Sequence, residues 1–169
     1  MKDPFARKTR VIGQFIPVGP PEQLTRLFRG RVMLNSPWEL QFRQWLADHG
    51  LVLDKGYNCV EVRGPVGVVN AQTGPIHAGM WHRDWSIGSN EAEIQRHNSN
   101  ERNRWFVVWS NERPTEVRVG DPKGPHITVR EYDVLLVCND EVVHRTPPGL
   151  TDTTTRWFIR ASVQEPIND

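Results

Sequence analysis

Arg156-Trp157-Phe158-Ile159-Arg160-Ala161-Ser162-Val163 alternates as an extended strand does, placing Arg156, Phe158, Arg160 and Ser162 on one side and Trp157 and Ile159 on the other. An aromatic and aliphatic face of this kind is covered by a packed layer. The two arginines on the other face then point at something polar inside the fold rather than at solvent. Working back from this stretch, short Val- and aromatic-rich runs recur at 57–69, 76–85, 104–109, 116–119, 126–129, 134–137 and 142–144, punctuated by Gly, Pro, Asn and Asp. Several short strands at such spacing predict a mainly β chain folded as a sandwich or barrel.

The front of the chain has a different period. Pro20 to Phe28 places Leu24, Leu27 and Phe28 on one stripe and stops at Gly30, which predicts a short helix. A second helix is better signalled. Ser36 and Glu39 form a capping box around Pro37, and Trp38, Phe42, Trp45 and Leu46 recur at helical spacing until Gly50. Its aromatic stripe is read as packing on the outside of the sheet, not as a cofactor site. The expectation is one domain over 1–169, with a helical part at 1–55 and a β core at 56–165. Residues 90–103 form a polar segment without periodicity, read either as a substrate lid over the mouth of the core or as simple disorder.

Twenty-one basic against twenty acidic residues give a net charge of +1, so no strong single-sign field is expected. A nucleic-acid partner is left open, with nothing in the charge pointing to it. Arg26, Arg29 and Arg31 are the densest basic cluster and read as a solvated helix end. The charged amino terminus is followed by no signal-type apolar core, and no stretch is apolar enough to span a membrane, which predicts a soluble cytoplasmic protein. Cys59 and Cys138 lack metal or redox spacing and are expected to be reduced and buried. Oligomeric state is not legible.

The chemistry is carried by His82-Arg83-Asp84 and by His144, sixty positions beyond Asp84. A His and a carboxylate at alternate positions of a strand point the same way, and a His from a distant strand completes three ligands on one face of a metal. Such a facial set leaves positions open for a co-substrate and dioxygen, unlike a closed structural site. Trp81 and Trp85 are expected to set His82 and Asp84 in a partly buried pocket. Arginines beyond His144 suit a dicarboxylate, because guanidinium offers a planar fork of donors and keeps its charge when buried. His49, His77, His97 and His126 have no carboxylate at ligand spacing and are assigned no chemistry.

The order His82, Asp84, His144, then Arg156 and the Arg160-Ala161-Ser162 triplet, resembles the iron(II)- and 2-oxoglutarate-dependent oxygenases over roughly 56–163. That resemblance implies a double-stranded β-helix core of jelly-roll or cupin type with the N-terminal helices outside it. It also implies His82, Asp84 and His144 as ligands of iron(II), and Arg156, Arg160 and Ser162 as the holders of 2-oxoglutarate, with Arg156 favoured as the anchor of the distal carboxylate. The activity implied is that of a dioxygenase, most often a hydroxylase, which couples decarboxylation of 2-oxoglutarate by dioxygen to substrate oxidation. A carboxylate at Asp84 argues against halogenation. A small molecule, amino acid or peptide is the favoured substrate. Two other classes stand beside this one: a jelly-roll binding module without turnover, and a metal-dependent hydrolase using the same His/Asp/His set, which would have no use for the arginines.

Overall fold

The computed structural model describes residues 7–19, 37–53, 61–63, 81–83, 105–148 and 157–167. Among these the chain is mainly β. The order is β1 (Arg10–Gln14), α1 (Pro37–Asp48), β2 (Glu61–Arg63), β3 (Trp105–Ser110), β4 (Glu116–Val119), β5 (His126–Ile127), β6 (Asp133–Cys138), β7 (Val142–Arg145) and β8 (Phe158–Ser162). They build two antiparallel sheets, one ordered β1-β6-β3-β8-β2 and a smaller one ordered β5-β4-β7. An isolated antiparallel bridge between His82 and His144 sets the segment at 81–83 beside β7, on the side away from β4. Four of the pairings are nested in sequence: β2 with β8, His82 with His144 in β7, β3 with β6, and β4 with β5, while β1 with β6, β3 with β8 and β4 with β7 cross them.

Burial explains why β3 and β6 read as unbroken apolar runs. Every residue of Trp105–Ser110 and Asp133–Cys138 is buried, because the larger sheet is covered on both faces. One face packs against α1 through Trp105, Val107, Trp109, Leu136 and Ile159, meeting Trp38, Phe42 and Leu46 of the helix. Phe15 stands edge-on to Phe42 at 5.1 Å and to Trp109 at 5.4 Å, a geometry that suits the aromatic quadrupole. The other face packs against the smaller sheet through Phe106, Val108, Leu135 and Val137, with Val117 and Val142 opposite.

The helix forms where the sequence places it, with Trp38, Phe42 and Leu46 buried and Trp45 half-buried. It ends in a Schellman turn: Leu51 N–H donates to the Leu46 carbonyl at 2.9 Å and Gly50 N–H to that of Ala47 at 3.0 Å. Gly50 takes φ +73°, which a side chain would resist. Leu51 then packs back into the same cluster as Leu46.

Several expectations need correction. The front of the chain is not purely helical, because Arg10–Gln14 forms β1 and pairs with β6 at the edge of the larger sheet. Its alternation is hidden by a register shift between Val11 and Gly13, and as an edge strand it is only partly buried. Gly13 allows the close approach of Trp45, whose ring would lie 3.1 Å from a Cβ at that position. The Glu141 carboxylate fixes the entry to β1, accepting from the N–H groups of Lys8 at 3.0 Å and Thr9 at 2.6 Å. The strands expected over 126–129 and 156–163 are shorter, at His126–Ile127 and Phe158–Ser162, and Glu61–Arg63 is the part of 57–69 described as a strand. Cys138 is buried and forms no disulfide among the described residues. Cys59, the helix expected at 20–28 and the cover expected at 90–103 lie outside the described residues. Among those described, no helix is long and apolar enough to cross a membrane.

Candidate metal centre

Strand β7 turns Val142 and His144 toward the larger sheet, and Val117 of β4 stands directly opposite His144. His82 arrives on the other side of β7. Its N–H donates to the His144 carbonyl at 3.0 Å and the His144 N–H returns to the His82 carbonyl at 2.9 Å. Two residues that exchange both backbone bonds are directly opposed, so their side chains share a face. The imidazole centroids are 4.5 Å apart with the rings inclined at 61°. His144 is buried and His82 half-buried.

That spacing can be tested against a shared ion. With a metal–nitrogen distance of about 2.1 Å, the metal lies about 3.2 Å from a ligating imidazole's centroid, so two ligands at right angles have centroids about 4.5 Å apart. The centroid separation is therefore compatible with adjacent positions of an octahedral ion. The third expected ligand, Asp84, lies outside the described residues, and among those described no three His, Cys, Asp or Glu side chains converge.

Strand β8 supplies the second half of the site. Phe106 of β3 is paired with Ser162 and Val108 with Arg160, so Arg160 and Ser162 face the smaller sheet together with Phe106. The Arg160 guanidinium carbon lies over the Phe106 ring, 4.5 Å from its centroid. The same ring is 5.6 Å from His144, at 65°. Arg160, Phe106, His144 and His82 are thus consecutive neighbours across the interior. Glu61 of β2 is the backbone partner of Arg160 on the far side of β8.

Ser162 is 1% exposed and its hydroxyl has no hydrogen-bond partner among the described residues. A buried hydroxyl in that state costs about 1–3 kcal/mol, and its persistence calls for an explanation such as a ligand. On the strand face it shares with Arg160, the hydroxyl can donate to one oxygen of a carboxylate while the guanidinium fork takes the other. The two imidazoles are compatible in spacing with a shared metal, and Arg160 with Ser162 are compatible in chemistry with a carboxylate. Arg156, favoured from sequence as the anchor, lies outside the described residues.

Trp81 does not wall the pocket as its position beside His82 suggested. Strand alternation turns it to the outer face, where it meets the guanidiniums of Arg145 at 4.5 Å and Arg118 at 5.3 Å. Arg145 Nε also pairs with Glu116 at 2.6 Å, and Arg83 donates to the Gly120 carbonyl. Trp81 packs on the back of the smaller sheet, and Trp85 lies outside the described residues. His49 likewise stacks on Trp45 at 3.7 Å and bonds the Trp45 carbonyl through Nδ1 at 2.8 Å. Phe106 was missed by sequence reading. It sits in an apolar run, and only the register with β8 reveals that its face is the one Arg160 shares.

Comparison of the chain with family models, with curated proteins and with solved structures finds no match in any of the three.

Proposed function

We propose that the protein is an iron(II)- and 2-oxoglutarate-dependent oxygenase with a double-stranded β-helix core, acting most simply as a hydroxylase. The observation that carries the reading is the row of His82, His144, Phe106 and Arg160 across one interior, with the buried Ser162 hydroxyl on the same strand face as Arg160. The nested pairing of strands supports the fold, since a long hairpin rolled over on itself pairs its first strand with its last, its second with the next to last, and so inward.

Each side chain has a defined task in this reading. His82 and His144, joined with Asp84 from the sequence, hold the metal while leaving one face of it open. Arg160 and Ser162 bind the far carboxylate of 2-oxoglutarate, with Arg156 as a second candidate for that anchor. Arg160 lies within the sum of the two ring separations from His144, a span that a five-carbon diacid held at its other end can bridge. When bound, the iron would activate dioxygen as the oxidant, with two of the four electrons coming from 2-oxoglutarate as it is converted to succinate and carbon dioxide and the other two from the substrate. The apolar inter-sheet cluster of Phe106, Val108, Leu135, Val137 and Val142 keeps water from the reacting centre.

Anaerobic addition of iron(II) and then 2-oxoglutarate to the metal-free protein tests the reading. A weak visible charge-transfer band that needs both additions is the expected result. Iron binding with no response to 2-oxoglutarate overturns it and favours metal-assisted hydrolysis, whereas 2-oxoglutarate binding independent of iron favours a binding module.

The co-substrate half of the site has its own test. Arg160→Lys keeps the charge but loses the fork, so 2-oxoglutarate binding should weaken on the order of tenfold, about one charged hydrogen bond, while iron affinity holds. Calorimetric titration of both ligands measures this. An unchanged affinity moves the anchoring role to Arg156.

A further inference from the structure

The Phe106 ring stands between the two halves of the site, 4.5 Å from the Arg160 guanidinium carbon and 5.6 Å from the His144 ring. It is 1% exposed and packed with Val108, Leu135, Val137 and Val142 in the inter-sheet core. A ring held so tightly has little freedom to turn, because interiors are close-packed and side chains sit in single rotamers. A guanidinium resting on an aromatic face is attracted to its quadrupole and takes its position from it. Ser162, directly cross-strand from Phe106, carries the orphaned hydroxyl on the same face.

We propose that Phe106 is the positioning residue that fixes the gap between the His82/His144 pair and Arg160, and through that gap the length of diacid the site accepts. The proposal rests on the oxygenase reading above. A 2-oxo diacid is held at both ends, by the metal through its oxo-acid end and by Arg160 and Ser162 through the other. One methylene more or fewer must then be absorbed by strain or by movement of the guanidinium. With the ring in place, the guanidinium has a fixed seat. With a smaller aliphatic side chain it loses that seat and gains room, so discrimination between chain lengths falls.

The experiment compares binding of oxaloacetate, 2-oxoglutarate and 2-oxoadipate, which carry four, five and six carbons, to the iron(II)-loaded parent, Phe106→Leu and Val108→Ala. Val108 shares the face and pairs with Arg160, but offers it no ring, so it reports a purely structural loss. In Phe106→Leu, 2-oxoglutarate binding is expected to weaken about fivefold to tenfold, the range of a lost cation–π contact. The preference for five carbons over six should shrink by a similar factor while iron(II) affinity in the absence of diacid stays within about twofold. Val108→Ala should leave the preference unchanged. If Phe106→Leu does not fold, Phe106→Met, closer in volume, enters the same comparison. A parent that prefers five carbons together with a Phe106 variant that keeps the preference overturns this proposal alone. An equal shift in Val108→Ala also overturns it, because any cavity would then do the same. A parent that binds no diacid overturns the oxygenase reading and this proposal with it.

Discussion

His144→Ala is expected to abolish tight iron(II) binding. Losing an outer partner of a metal ligand already costs about 10–100-fold in affinity, and removal of the ligand itself should exceed the upper end of that range. The backbone bridge between His82 and His144 does not depend on the imidazole, so the strand pairing can survive the substitution. The vacated volume is nonetheless in a buried position, and stability must be followed separately. His144→Gln, closer in size and still polar, controls for that loss. Anaerobic iron titration beside a thermal melt separates the two effects. A folded His144→Ala protein that binds iron as tightly as the parent removes the metal centre.

Phe42→Ala should destabilise the protein by about 3–5 kcal/mol without acting on the site chemistry. Phe42 is fully buried on the helix face of the larger sheet, edge-on to Phe15 at 5.1 Å and stacked with Trp45 at 6.2 Å. Truncation removes apolar area and leaves a hole that rings cannot close, because Trp45 is also held through its Nε1–H to the Gln14 carbonyl at 3.0 Å. The loss threatens the pairing of β1 with β6 as well, since Phe15 follows that strand. Urea denaturation measures the change. A loss below about 1 kcal/mol would mean that the helix contributes little to the sheet it covers.

Much of this protein was legible in local pattern. The helix over Pro37–Asp48 announced itself by Pro37, the Trp38-Phe42-Leu46 stripe and Gly50, all of which act within a few residues. The last strand announced both of its faces: Ile159 is fully buried against the helix layer, while Arg160 and Ser162 look inward. Period two fixes which side chains share a side, and no other part of the fold is needed to read it. His82 and His144 could be singled out as residue types and by order along the chain.

What neighbours what was not legible, because register between strands distant in sequence is set by the whole pattern of burial. The edge strand Arg10–Gln14 stayed hidden: its alternation is broken at the register shift, and its partner β6 lies more than a hundred residues away. Trp81 looked like a pocket wall from sequence adjacency and is turned to the outer arginines by strand alternation beside β7. Phe106 looked like any residue of an apolar strand. The sequence by itself determined the helix, the two-faced final strand and the chemical types of the candidate ligands, since each follows from side chains within one turn or one strand. Only the tertiary structure decided that His82 opposes His144 and that Phe106 joins His144 to Arg160, because those contacts exist only when strands from four parts of the chain pair in one register.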